Sequence, residues 1–100
     1  MYQVKLSDIF KRIKVEDFEV VGETNRMFSA PAPIWDSGKN TITFCSETIQ
    51  SPEKVINLAK ASIVIASKKI DSKKLDLESK SVVLVDEPRT LFVEILKNHI

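Results

Sequence analysis

Two nearly unbroken apolar runs constrain this chain more than anything else in it: Ser62-Ile63-Val64-Ile65-Ala66 and Ser81-Val82-Val83-Leu84-Val85. Successive side chains of a strand point to opposite faces, so a β-branched run without a polar interior member must be covered on both sides. Such strands belong in a parallel or mixed sheet between layers of helix. The sequence supplies the covering elements. Ser51-Pro52-Glu53 carries helix start signals, and the spacing predicts a helix to about Lys60 with Val55, Leu58 and Ala59 inward. Asp86-Glu87-Pro88 opens a last helix, its two acids as caps and Leu91, Phe92, Ile95 and Leu96 as its apolar side. Nearer the start, Ser7 is placed to cap a short amphipathic helix with Ile9, Phe10 and Ile13 on one face.

Further strands are expected at 18–21, stopped by Gly22, and at 41–45, after a turn over 36–40. Residues 27–30 read as extended, while Pro31 and Pro33 withhold amide donors from any central ladder. The stretch 67–80 is rich in Lys, Asp and Ser and reads as a solvated loop anchored by Ile70, Leu75 and Leu77. Strand, helix, strand, strand, helix over 41–98 favours parallel strands with right-handed crossovers. The expected fold is α/β: one domain over 1–100, with a small mixed, mostly parallel sheet flanked by about three helices. A hydrophobic content of 43% suffices for one core.

Charge and composition narrow the functional classes. Fifteen basic residues against fourteen acidic ones leave +1, no footprint for nucleic acid or an anionic bilayer. A single cysteine, Cys45, excludes an internal disulfide and reads as a small buried hydrophobe. The only histidine, His99, is far from any nucleophile in sequence, so no catalytic residue, metal or cofactor is expected. No apolar run approaches the roughly 20 residues of a membrane span, and residues 1–5 lack an apolar signal core, which points to the cytoplasm.

Ligands of open α/β sheets sit beyond the carboxyl ends of the strands. The candidate lip is therefore Phe44 to Gln50, where Phe44 offers a flat face for stacking. Amides at 51–54 are candidates to receive an anion, although Pro52 removes one donor. Trp35 either lids apolar surface or joins a docking patch with Met27, Phe28 and Ile100.

Three passages, in order, carry a family resemblance: Ala32-Pro33-Ile34 followed by Ser37-Gly38-Lys39-Asn40-Thr41-Ile42-Thr43-Phe44, then Leu58-Ala59-Lys60-Ala61-Ser62-Ile63-Val64-Ile65, then Val83-Leu84-Val85-Asp86-Glu87-Pro88-Arg89-Thr90-Leu91-Phe92. Over roughly residues 5–98 they resemble the N-terminal domain of the UDP-3-O-acylglucosamine N-acyltransferases of lipid A synthesis. The first domain of the Mur ligases is a weaker likeness, because its glycine-rich Asp-Gly segment is missing. The resemblance implies a small α/β unit that binds the uridine of a nucleotide-sugar. It further implies a C-terminal hexapeptide-repeat β-helix, a homotrimeric parent and acyl transfer from acyl carrier protein at a histidine of that β-helix. No such repeats occur within these residues, so the chain is expected to be the non-catalytic front of a longer protein, an expectation that its stop on Ile100 just after a helix also suggests. The family's lip reads Phe-x-x-Asn-x-x-Tyr. Phe44 matches its first position, whereas Glu47 and Gln50 stand at the Asn and Tyr positions. The implied ligand contacts are Phe44, Ser46, Glu47 and Gln50. The alternative is a docking module with no small-molecule ligand.

Overall fold

The computed structural model describes residues 3–15 and 17–99. In chain order the elements are β1 (Val4–Lys5), α1 (Leu6–Arg12), β2 (Glu19–Val21), β3 (Met27–Phe28), β4 (Ala30–Pro31), β5 (Thr41–Phe44), α2 (Pro52–Leu58), β6 (Ile63–Ser67), β7 (Ser81–Val85) and α3 (Pro88–His99). Short 3-10 turns at Ile34–Asp36 and Ser72–Lys74 punctuate the connections. The two apolar runs become β6 and β7, side by side and parallel, with every residue buried. Around them the sheet runs β2-β7-β6-β5-β4, parallel throughout except for β2. β1 and β3 form a separate antiparallel pair. This is the expected α/β architecture.

The two-residue period divides the core. Ile42, Ile63, Ile65, Val83 and Val85 meet Leu6 and Ile9 of α1 and Leu91 and Ile95 of α3. On the opposite face Val64, Ala66, Val82 and Leu84 meet Ile56 and Ala59 of the α2 segment. Helices therefore cover both faces, as continuous apolar strands require.

Several local expectations give way. Leu58, expected inward, is 74% exposed, and Ile56 is buried in its place. The cause lies at the end of α2, which stops at Leu58 instead of reaching Lys60. Lys80 Nζ donates to the carbonyls of Ile56 (2.6 Å), Asn57 (3.2 Å) and Ala59 (2.5 Å). Those acceptors at the end of the helix are satisfied by the lysine, so the chain can turn away. Lys80, read as part of a solvated stretch, is only 3% exposed. Ser7 does not cap α1. The helix starts directly from β1, and the Ser7 amide instead donates to Thr24 O at 3.0 Å. Ser51 precedes Pro52 in the left-handed region (φ 51°) without a side-chain cap. Asp86, expected to cap, lies 3.7 Å from Lys68 Nζ, which also pairs with Asp17 at 2.5 Å. Phe28, expected near the surface, is fully buried because β3 sets it opposite Val4 in the first core cluster.

Candidate functional site: a groove where the ladder stops

Site geometry follows from how β5 is flanked. A left-handed Asn40 (φ 65°) turns the chain into β5, and its amide donates to Ser62 Oγ at 2.9 Å. On the inner side β5 stays paired with β6 to its end, where the Cys45 amide donates to Ile65 O at 2.8 Å. The outer side is cut short. β4 matches only Thr41 and Ile42, and the last bond there runs from the Ala32 amide to Ile42 O at 3.0 Å. Pro33 lacks an amide hydrogen, and the 3-10 turn Ile34–Asp36 then carries the chain away. By strand alternation Phe44 turns its amide and carbonyl to the same outer side as Ile42. The β4 register ends at Pro31 opposite Ile42, so among the described residues no β4 residue pairs with Phe44 on that side.

Where β4 leaves off lies a groove of about 590 Å³, walled by Pro31, Pro33, Trp35, Phe44, Ile49 and Phe92. Among the described residues, Thr43 and Ser46 are its only polar lining residues, and none is charged. Phe44 packs on Phe92 of α3 with ring centroids 4.9 Å apart and planes at 42°. Trp35, far from lidding a packed surface, is 73% exposed. Next to the groove and sharing Phe44 and Ser46 with it, a polar notch of about 220 Å³ holds Glu47, Glu87 and Arg89.

Phe44 and Ser46 thus come together at the junction of groove and notch, and Glu47 joins them on the notch side. Gln50 is exposed and lines neither. The Ser46 hydroxyl is already engaged: its Oγ lies 2.9 Å from Thr48 Oγ1 and accepts the Thr48 amide at 3.3 Å. Thr43 was not anticipated. It is 1% exposed, and its hydroxyl has no hydrogen-bond partner among the described residues. Of the docking surface suggested by the sequence, only Trp35 is well exposed; Met27 is partly buried and Ile100 lies outside the described residues.

The start of α2 does not serve as an anion site. Pro52 has no amide hydrogen, the Lys54 amide donates to Ser51 O at 3.1 Å, and the Glu53 carboxylate occupies the first turn. The Asp71 amide donates to Glu53 Oε2 at 2.8 Å and, with the glutamate's own amide, holds that carboxyl below its usual range. Cys45 is buried as expected, and burial pushes its thiol up, with Glu53 adding to the shift. A raised thiol is a poor nucleophile. With no titratable group among its described lining residues, the groove is suited to holding an apolar or flat group away from water.

No helix among the described residues is long and apolar enough to cross a membrane. In comparisons with known proteins, the chain matches no family model and no curated protein.

Proposed function

We propose that this chain is a non-catalytic recognition domain of a sugar N-acyltransferase-like protein and that it takes the base of a nucleotide-linked sugar against Phe44. The observation that carries this reading is the Phe44 ring, partly exposed where an apolar groove and a polar notch meet at the carboxyl end of a parallel strand. The base would lie on the ring, and Arg89 is the cation available in the notch for the diphosphate. In the longer protein this domain would precede the trimeric β-helix that receives the acyl carrier protein and performs the transfer. Titration with UDP-N-acetylglucosamine, followed through amide chemical shifts, tests it. Shifts gathered at 43–47 and 87–92 are expected, and their absence there rules out this ligand.

A second reading, a docking module, is favoured by a separate observation. The groove walls are apolar and uncharged, and Trp35 stands exposed at their rim. Exposed aromatic and proline surfaces of this kind are used to hold a partner.

A further inference from the structure

Resting on the docking reading, we infer that the groove takes an extended peptide segment of a partner protein with a lysine or arginine at one end. The segment adds to the outer edge of β5. Its backbone pairs with Phe44, its apolar side chains lie against Pro33, Trp35 and Ile49, and its basic residue reaches over Glu47 and Glu87.

The shape of the opening selects a peptide. β5 continues past the point where β4 turns off, so the edge offers the Phe44 amide and carbonyl in the geometry a neighbouring strand would use. A hydrocarbon tail would fill the apolar walls yet leave both groups unmet, and unmet buried polar groups are costly. A chain bearing an amide at every residue can satisfy these groups while its side chains cover the walls.

Charge selects the end residue. No charged group among the described residues lines the groove itself, so its occupant must be apolar along that stretch. Where β5 finishes, the described residues of the adjoining notch set Glu47 and Glu87 against Arg89, a surplus of one negative charge. A cation at that end complements the surplus.

The test leaves the protein unchanged and alters the probe. Trp35 is the only tryptophan and stands at the groove rim, so its emission reports occupancy. The probe is the capped peptide acetyl-Val-Thr-Val-Thr-Lys-amide, which favours extended backbone. A saturable blue shift of Trp35 emission is expected. Methylating the peptide's backbone amides weakens binding at least about tenfold, because the strand bonds are lost. Exchanging its lysine for glutamate weakens binding about fivefold. No saturable response, or equal binding by the methylated peptide, would overturn strand addition. UDP-N-acetylglucosamine, titrated in parallel, keeps the two ideas apart. Shifts with the nucleotide-sugar and no response to peptide retain the first reading and remove this one. Response to peptide alone does the reverse.

Discussion

The two flanks of the sheet on either side of β6 are built differently. On the β7 flank the ladder is complete: β7 pairs with β6 over five residues and with β2 over three. Tight contacts seal its start. Gly22 sits at φ +102°, and a Cβ there would come 3.2 Å from Lys80 O. Ser81 Oγ donates to Glu23 O at 2.6 Å and accepts Arg26 Nε at 3.1 Å, while Lys80 next to it holds the end of α2. On the β5 flank β5 pairs with β6 over three residues and with β4 over only two, prolines follow, and a hollow opens. Stability is concentrated where the ladder is finished, and the groove lies where it is left unfinished.

Breaking the β7 flank should cost most. Lys80→Met removes the donor to three carbonyls at the end of α2 and should destabilise by about 2–4 kcal/mol, read from urea unfolding. Gly22→Ala is next, at about 1–2 kcal/mol by the same measurement, because alanine resists a positive φ and its methyl crowds Lys80 O and Ser81.

A smaller effect is confined to mildly acidic pH. Burial holds the His99 imidazole below its ordinary 6.5, with Arg12 adding to the shift and Asp8 opposing it. The unfolded chain therefore takes up this proton before the fold does. The contribution of His99 is fully present above 6.5, shrinks as pH falls from there through the depressed folded value, and levels off below it. His99→Gln should flatten that part of a stability-versus-pH curve.

The smallest stability effect belongs to the β5 flank. Trp35→Ala should change stability by no more than about 0.5 kcal/mol, since the side chain is largely exposed, yet it should weaken whatever occupies the groove. Amide-shift titration of this variant with the peptide and the nucleotide-sugar measures that loss. A large destabilisation by Trp35→Ala would instead make the β5 flank part of the structural core.

How much of this was legible depended on whether the deciding contacts were local. The runs at 62–66 and 81–85 announced buried strands because two-sided burial leaves no room for polar alternation. Pro31 and Pro33 argued against a central strand there for an equally local reason, and β4 is an edge strand. Lys80 was misread because a lysine among Lys, Asp and Ser looks solvated, and its burial is set by carbonyls more than twenty positions earlier. Leu58 was misread with it, since the helix ends where that lysine caps it. Within the site, Phe44 followed from its place at a strand end. The groove did not, because its walls come from the 31–35 segment, the 49 loop and Phe92 of α3, brought together only by folding. Gln50 fell outside because the lip turns twice, at the Ser46–Thr48 hydrogen bond and at the left-handed Ser51.

Amide hydrogen exchange at two adjacent residues tests most directly whether the β5 edge is open. Cys45 donates inward to Ile65 O, whereas Phe44 faces the vacated outer edge. In the protein alone, Cys45 should exchange slowly and Phe44 quickly, and a bound peptide should slow Phe44 while leaving Cys45 unchanged. A Phe44 amide as protected as its neighbour before anything is added would contradict the account.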